Sequence, residues 1–278
     1  MVVVNTIDSF DHPSLTPYKT MKMQRDHHEQ GIFVSEGEKI VRRLIETDFT
    51  IISVLLPGKW LDEFKQLLEP RPELVEIFVA EKEVLERLTG FSMYQGILAV
   101  AKIPSAWTLE DAITKSSSPR IFVATDGINN SENMGVLVRN AAAFGTQAIL
   151  VGETSSSPYM RRAVRTSMGT IFKIPVVECK CLAYTLRLLN KLGIKTVAAH
   201  PHSERRFISD VDLRSDVCVV FGSEGEGISP ETLDACAEHA EIEMALGVDS
   251  LNVGSSAAVV LYEVWRQRYF AARDIRTS

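Results

Sequence analysis

The sequence predicts a protein of the α/β class, and three observations support this prediction. Short apolar runs rich in β-branched residues alternate along the chain with segments whose apolar residues recur at the helical period. Hydrophobic residues make up 45% of the 278 residues and charged residues 24%, which is ordinary for a globular protein. No stretch approaches the roughly 20 apolar residues of a membrane span, and the first residues lack the basic and apolar regions of a targeting signal. We therefore expect a cytoplasmic protein, and the chain length favours two domains.

The first domain is predicted over residues 1–104. Residues 1–30 contain Pro13, Pro17 and scattered basic groups, and two interpretations of this irregular arm remain open: it lies on the protein surface, or it contacts RNA. Strands are then predicted over 32–34, 51–56, 75–79 and 96–103, and helices over 36–47, 59–68 and 81–88. Strands separated by helices of this length predict crossover connections and a mostly parallel sheet.

A linker is predicted over residues 105–119, which end in three serines and Pro119. The second domain then covers residues 120–278, with strands predicted over 121–125, 148–151, 174–177, 195–199, 217–221 and 242–245. Asn133 is the predicted N-cap of a helix that ends before Gly145, and Ser229 caps a helix with Pro230 at its first position. Further helices are predicted over 160–165, up to Leu192, and after the polar turn 249–252.

Charge and cysteine content exclude some classes of function. The formal net charge is −6, so only a local basic patch could bind a nucleic acid. The 4 cysteines, Cys179, Cys181, Cys218 and Cys236, lack the paired spacing of a zinc site, and the 6 histidines show no metal-binding spacing. We predict reduced thiols and no metal.

A glycine turn directly follows the buried strand over 217–221. Its order is G-x-x-G-x-G, from Gly222 through Gly225 to Gly227. A dinucleotide fingerprint belongs at the first strand of a sheet, and a P-loop needs a Lys-Ser/Thr pair that is missing here. The glycines alone therefore fit a phosphate site and a simple tight turn almost equally well. Glu224, inside the turn, is either a functional carboxylate or a solvated one.

Other polar residues also leave two interpretations open. Arg139 interrupts an apolar helical run, so it either forms a structural ion pair or has a functional role. Asn133, on the same helix, either caps the helix or also has a functional role. Ser250 and Asn252 either cap the last helix or contact a ligand. The basic group Arg161, Arg162 and Arg165 is either a solvated face or a set of phosphate contacts.

Three segments together resemble a known family. D-G-I-N-N-S-E-N-M-G-V-L-V-R-N-A-A-A-F-G, F-G-S-E-G-E-G-I-S and I-E-M-A-L-G-V-D-S-L-N-V resemble the three motifs of the TrmH-type (SpoU) methyltransferases of the SPOUT superfamily. The resemblance runs from Ile121 to the C-terminus. In the first domain, V-S-E-G-E-K-I-V and G-F-S-M-Y-Q-G-I-L-A-V are similar to the small substrate-binding domain of longer members, which itself resembles a ribosomal-protein RNA-binding fold.

The resemblance implies transfer of a methyl group from S-adenosylmethionine to a ribose 2′-hydroxyl of rRNA or tRNA. It also implies a parallel sheet with a deep trefoil knot, a homodimer formed through the knotted domain, and no metal. By position in the motifs, it assigns catalysis to Asn133, Arg139, Glu224, Ser250 and Asn252, and cofactor binding to Gly222, Ser223, Gly227, Ile242, Met244 and Leu251. For RNA contact we predict Lys39, Arg161, Arg162, Arg165 and Arg205.

Three departures from the family motifs stand near the predicted site. Ser131 and Glu243 replace prolines, and Gly254 replaces a serine, which is expected to cost helix stability. The main alternative is a non-catalytic RNA-binding relative that keeps the fold, although the five predicted catalytic residues together argue against it. A dinucleotide-dependent oxidoreductase is disfavoured by the position of the glycines.

Overall fold

The computed structural model describes residues 1–7, 11–90, 96–201 and 206–277. The strands are β1 Val2–Thr6, β2 Ile32–Glu36, β3 Ile51–Leu56, β4 Val75–Val79, β5 Leu98–Lys102, β6 Ile121–Thr125, β7 Ala148–Val151, β8 Val176–Glu178, β9 Lys195–Ala199, β10 Val217–Phe221 and β11 Glu238–Ala240. The helices are α1 Thr16–Lys19, α2 Gln24–Glu29, α3 Glu38–Ile45, α4 Leu61–Leu68, α5 Lys82–Thr89, α6 Leu109–Lys115, α7 Ser131–Ala143, α8 Arg161–Thr166, α9 Leu182–Lys191, α10 Pro230–Ala235 and α11 Val253–Thr277. None of the helices in the described ranges is long and apolar enough to span a membrane.

The chain divides into two compact units. The first unit comprises Met1–Ser105 and Tyr159–Phe172, and the second comprises Ala106–Pro158 and Lys173–Ser278. Residues 159–172 therefore pack in the first unit, although the sequence assigns them to the second domain. The segment predicted as a linker contains α6, whose Ala112 is buried in the core of the second unit.

The first unit is built on a five-stranded sheet in the order β1-β4-β3-β5-β2. β1 and β3 run parallel to β4, whereas β5 runs antiparallel to both β3 and β2. The prediction of a mostly parallel sheet is therefore wrong for this unit. A helix between two strands allows a parallel crossover but does not impose one, because the strand direction depends on where the helix ends.

The N-terminal residues belong to this sheet and its core. β1 is an edge strand, and Leu15, Tyr18 and Met21 are almost fully buried. The Tyr18 hydroxyl shares a hydrogen bond of 2.9 Å with the Ser53 hydroxyl. The prediction of an irregular arm over residues 1–30 is therefore wrong, since apolar side chains from two short helical turns seal one face of the sheet.

Four aromatic rings fasten the segment Tyr159–Phe172 to the first unit. Phe33 on β2 is 1% exposed, and its ring centroid lies 5.6 Å from that of Tyr159 and 5.7 Å from that of Phe172. Phe49 completes the cluster from the loop before β3. Burial of this aromatic surface explains why the segment leaves the second unit.

The second unit contains a six-stranded sheet in the order β11-β9-β10-β6-β7-β8, and every pairing is parallel. β6 and β10 lie side by side at its centre, and all their residues are buried. The strand predicted over 242–245 is wrong, because the edge strand β11 lies earlier, at Glu238–Ala240. After it the chain runs without regular structure to α11.

The C-terminal helix α11 packs closely on α7 at its first turn. A Cβ atom added at Gly254 would lie 2.4 Å from the Val136 Cγ1 atom. The Asn140 side-chain amide donates a 2.6 Å hydrogen bond to the Gly254 carbonyl oxygen. The expectation that Gly254 only costs stability is therefore incomplete, because a glycine is what allows the two helices to approach this closely.

Candidate active site

Three loops of the second unit meet at the carboxyl edge of its parallel sheet. The first follows β6, the second follows β10, and the third precedes α11. Since β6 and β10 are neighbours, their loops emerge side by side. In open parallel sheets ligands bind in the crevice outside this edge.

The second loop is a closed turn over residues 222–227, which we call the glycine turn. The Ser223 N–H donates to the Gly227 carbonyl at 2.9 Å, and the Gly227 N–H donates back to the Ser223 carbonyl at 3.1 Å. A Cβ atom at Gly222 would lie only 2.2 Å from the Gly227 carbonyl carbon, so no side chain fits there. Gly227 has φ +72°, the left-handed region that favours glycine. Gly222 and Gly227 are thus required by the shape of the turn.

Asn252 joins the three loops through its side-chain amide. Its Nδ2 atom donates to the Asn133 Oδ1 atom at 3.1 Å and also to the Glu224 Oε1 atom. Its Oδ1 atom accepts the Gly254 N–H at 2.9 Å. The backbone donor at Gly254 fixes which end of the amide is the oxygen, so the NH2 group must face the two acceptors. Three of the five predicted catalytic residues are therefore hydrogen-bonded to one another.

Asn133 has a different local role from the one the sequence predicts. The N-cap of α7 is Asn130, whose side chain accepts the N–H groups of Glu132 at 2.8 Å and Asn133 at 3.4 Å. The prediction of Asn133 as N-cap is wrong because the helix begins at Ser131. Asn133 lies in the first turn, and its side chain is free to accept from Asn252.

Arg139 is exposed, and its guanidinium group makes no hydrogen bond or ion pair with any other residue within the described ranges. This excludes a structural ion pair to those residues. Arg139 and Asn133 are six positions apart on α7, which separates them by about 120° around the helix axis at 3.6 residues per turn. The guanidinium group is therefore available to a partner that the isolated chain does not supply.

A cavity of about 290 Å³ lies between the glycine turn and the loop before α11. All six residues predicted to bind the cofactor line it: Gly222, Ser223, Gly227, Ile242, Met244 and Leu251. Glu224 and Ser250 line it too, as do Glu226, Asp249 and His200. Sequence reasoning missed His200, although its place directly after β9, next to β10 in the sheet, was a usable signal.

A second, larger cavity of about 970 Å³ lies on the other side of the glycine turn. Asn129, Asn130 and Asn133 line it from the first loop, and Ala183 lines it from α9. The two cavities share Glu224 and the rest of the turn from Ser223 to Gly227. The glycine turn is therefore a common wall, and Glu224 faces both spaces.

Asp126, which sequence reasoning did not single out, fixes both ends of the glycine turn. Its N–H donates to the Phe221 carbonyl at 2.9 Å, just before the turn. Its Oδ2 atom accepts from the Ser229 N–H at 2.8 Å and the Ser229 hydroxyl at 2.7 Å, just after the turn. Its Oδ1 atom accepts from the Thr154 hydroxyl at 3.3 Å. Asp126 is 7% exposed, so these bonds are shielded from water.

The predicted RNA-binding residues that the structure describes all lie in the first unit. Arg161 is bound to Glu36, with 2.6 Å between Nη1 and Oε2, and Arg165 lies 3.8 Å from the same carboxylate. Arg162 and Lys39 are exposed. Arg205 lies outside the described residues. The structure thus gives Arg161 a structural partner and leaves Arg162 and Lys39 open to solvent.

Cys179 and Cys236 contribute no reactive thiol to the site. All four cysteines are free, and burial raises the pKa of Cys179 to about 11 and that of Cys236 to about 12. Such thiols stay protonated near neutral pH. In the part of the chain that the structure describes, no group of three or more His, Cys, Asp or Glu side chains is arranged to hold a metal ion.

Solved structures of RNA methyltransferases share the fold of this chain. The chain matches the AdoMet-bound rRNA methyltransferase from Sinorhizobium meliloti with a TM-score of 0.82 at 22% identity, over 95% of this chain and 98% of that one. It matches a crystal structure described as an RNA 2′-O ribose methyltransferase with a TM-score of 0.75 at 26% identity, over 97% and 100%. These matches are consistent with the knotted fold that the resemblance implies.

Sequence comparison identifies the family. A tRNA/rRNA methyltransferase of Mycobacterium leprae, named as uncharacterised, is 34% identical over 211 residues, which cover 73% of this chain and 68% of that protein. Residues 120–262 match the sequence model of the SpoU rRNA methylase family. The chain belongs to the SpoU rRNA methylase family, which confirms the resemblance found in its motifs.

Proposed function

We propose that the protein transfers a methyl group from S-adenosylmethionine to a ribose 2′-hydroxyl of rRNA or tRNA. The observation that carries the proposal is the cavity lined by all six predicted cofactor residues. Its wall also contains Glu224, which is hydrogen-bonded to Asn252 and through it linked to Asn133. A binding cavity and a polar network thus share one residue.

The residues of this cavity fit the proposed cofactor. Ile242, Met244 and Leu251 provide an apolar wall, and the glycines of the turn place backbone in the wall beside it. The carboxylates of Glu224, Glu226 and Asp249 suit a positively charged ligand. When bound, S-adenosylmethionine supplies a methyl group on a sulfonium centre.

The protein would contribute mainly by positioning. Holding two reactants together in the right geometry can lower a barrier by about 7–11 kcal/mol. We assign to Glu224, Asn252 and Asn133 the holding of the glycine turn and the ribose. Arg139 binds the phosphate beside the target nucleotide and orients its 2′-hydroxyl. Since the guanidinium group of an arginine stays protonated in proteins and is therefore a poor base, that phosphate assists proton removal.

We also propose a homodimer formed through the second unit. Tyr262, Trp265, Tyr269 and Phe270 on α11 are each at least 41% exposed. The rings of Tyr262, Trp265 and Tyr269 stack, with centroid distances of 5.8 and 4.8 Å. A contiguous aromatic surface of this kind is typical of a protein interface. Light scattering of the parent protein and of Trp265→Glu tests it, and a parent protein that is monomeric at micromolar concentration contradicts it.

The first test of the function is calorimetric titration with S-adenosylmethionine. Saturable binding is expected in the parent protein and should be lost in Leu251→Arg, which places a cation in the cavity wall. Val248→Arg is the matched control, because Val248 lies in the same loop, is 49% exposed and is not among the residues lining the cavity. Equal binding by both variants would show that the cofactor does not bind in this cavity. No binding in a folded parent protein would favour a non-catalytic RNA-binding relative.

The ribose specificity needs a second test. Unmodified rRNA and tRNA transcripts are incubated with labelled cofactor, and the product is hydrolysed in alkali. Methylation of a 2′-hydroxyl removes the nucleophile for alkaline cleavage, so the label should remain in dinucleotides. Label in mononucleotides would show base methylation instead. Arg139→Lys should lose most of this activity, since one ammonium group cannot replace a planar guanidinium fork.

A further inference from the structure

One face of α9 carries a row of cations with an aromatic residue among them. Tyr184, Arg187 and Lys191 are spaced by three and four residues, so they share one face of the helix. Lys180 precedes the helix by two residues. All four are exposed, Tyr184 by 67%. The opposite face packs into the core of the second unit through Leu182, Ala183, Leu186 and Leu189. We call the exposed set the α9 basic face.

The charges on the α9 basic face are not neutralised. Within the described ranges, Lys180, Arg187 and Lys191 form neither hydrogen bonds nor ion pairs with other side chains. Some other cations of the same unit are paired, for example Arg214 with Asp212 at 2.8 Å. In a chain of net charge −6, three unpaired cations in a row form a local positive field.

The N-terminal end of α9 lies beside the candidate active site. Ala183 lines the larger cavity, which also contains Asn133 and Glu224. The Leu182 N–H donates to the Glu153 carboxylate at 2.9 Å, and Glu153 lines that cavity as well. From Tyr184 to Lys191 the helix rises about 10 Å at 1.5 Å per residue. This length allows the cations at the two ends of the row to contact different phosphates of one strand.

We propose that the α9 basic face binds the RNA substrate next to the methylated nucleotide. Lys180, Arg187 and Lys191 contact successive phosphates, and Tyr184 stacks on an unpaired base. Aromatic rings interleaved with cations are the means by which proteins hold single-stranded RNA without reading its sequence. The proposal rests on the proposed function only in taking RNA as the partner. These residues belong to the second unit, unlike Lys39, Arg161, Arg162 and Arg165.

The charge contribution is tested by the salt dependence of RNA binding. The probe is a fluorescein-labelled oligouridylate of about 20 nucleotides, titrated by anisotropy between about 50 and 200 mM KCl. The slope of log K against log salt is negative, and its magnitude should decrease by about 2 in the triple variant Lys180→Gln, Arg187→Gln, Lys191→Gln. This is about 0.7 for each lost phosphate contact. Arg187→Gln alone should lower this magnitude by about 0.7, whereas Arg214→Gln, which removes an already paired charge, should leave it unchanged.

The stacking contribution is tested at Tyr184. Tyr184→Ala should weaken oligouridylate binding about fivefold or more with an unchanged salt slope, because stacking involves no counterion. Tyr184→Phe keeps the ring and should bind like the parent protein. Equal losses in both variants would assign the effect to the hydroxyl group and overturn the stacking.

Three outcomes overturn the proposal. The first is an unchanged salt slope in the triple variant, and the second is that the parent protein shows no salt-dependent binding of the RNA. The third is equally strong competition by polyglutamate of similar length, which would indicate an acidic protein partner.

Titration with S-adenosylmethionine separates this proposal from the proposed function. A parent protein that binds the RNA through the α9 basic face but does not bind the cofactor contradicts methyl transfer and retains the RNA surface. A triple variant that binds the cofactor normally but keeps the full salt slope contradicts the RNA surface and leaves the proposed methyl transfer standing.

Discussion

Replacing Gly254 with serine, the residue usual in the family motif, is expected to destabilise the protein. The new Cβ atom would lie 2.4 Å from Val136 Cγ1, 3.0 Å from Val136 Cβ and 3.1 Å from Asn252 Oδ1. Rotation of Val136 can move the first of these atoms but not its Cβ, and a β-branched side chain in a helix has one strongly preferred rotamer. The overlap must therefore be relieved by moving α11 away from α7.

Two opposing effects set the size of the change. Serine has a higher helix propensity than glycine, which is worth up to about 0.5 kcal/mol near the start of α11. Inserting atoms into a closely packed contact costs about 1–3 kcal/mol. The free energy of unfolding should therefore fall by about 0.5–2.5 kcal/mol, the sum of these two figures.

Urea unfolding measures this difference in four variants: Gly254→Ser, Ser255→Gly, Val136→Ala and the double variant Val136→Ala, Gly254→Ser. Ser255→Gly, at the exposed next position of the same helix, gives the propensity effect alone. In a Val136→Ala background the 2.4 Å contact with Cγ1 is gone, whereas the 3.0 Å contact with Cβ and the 3.1 Å contact with Asn252 Oδ1 remain, so Gly254→Ser should cost less than in the parent protein. A Gly254→Ser protein as stable as its parent would refute the packing argument and leave only the propensity effect that the sequence suggests.

Three further predictions follow from single contacts. Burial raises the pKa of Asp216, but hydrogen bonds from the Ser118 hydroxyl, the Arg120 N–H and the Arg120 guanidinium lower it more, so the folded pKa is below its ordinary value. The ionised Asp216 therefore stabilises the folded protein fully above the unfolded pKa of about 3.9, and this stabilisation is lost as the pH falls through the lower folded pKa. Asp216→Asn should lower the free energy of unfolding at pH 7, and urea unfolding should show a progressively smaller effect below about pH 4. Arg161→Ala should lower the free energy of unfolding by about 1–3 kcal/mol through loss of its bond to Glu36, whereas Arg162→Ala should leave it unchanged and lower the RNA salt slope. A fragment of residues 1–105 lacks the segment Tyr159–Phe172 and should unfold without cooperativity until a peptide of that segment is added, and circular dichroism melting curves of both samples check this.

Six interior strands could be predicted from the sequence. β3, β4, β6, β7, β9 and β10 lie where the sequence places them. Most of their residues are apolar and buried, because both faces of an interior strand are covered. β1 was missed because Val3 and Val4 are about 40% exposed on an edge strand. β11 was missed because its residues, Glu238–Ala240, are polar, while the more apolar segment after it lines a cavity instead.

The site residues could be named from motifs, but their contacts could not. Asn252 lies 119 residues from Asn133 and 28 from Glu224. No local pattern predicts hydrogen bonds over such distances. The same holds for Arg161, whose partner Glu36 is 125 residues away. The three neighbouring arginines look equivalent in the sequence, and only the fold distinguishes a paired one from an exposed one.

The position of Glu224 depends on two residues that are far apart in the sequence, Asp126 and Asn252. Asp126 fixes the two ends of the glycine turn, and Asn252 fixes its tip by binding the Glu224 carboxylate. Asn252 in turn is held by the Gly254 N–H at the start of α11. The packing of α11 on α7 therefore sets the position of a residue that lines both cavities. For this reason Gly254→Ser should weaken cofactor binding as well as stability, and Val136→Ala should restore part of both.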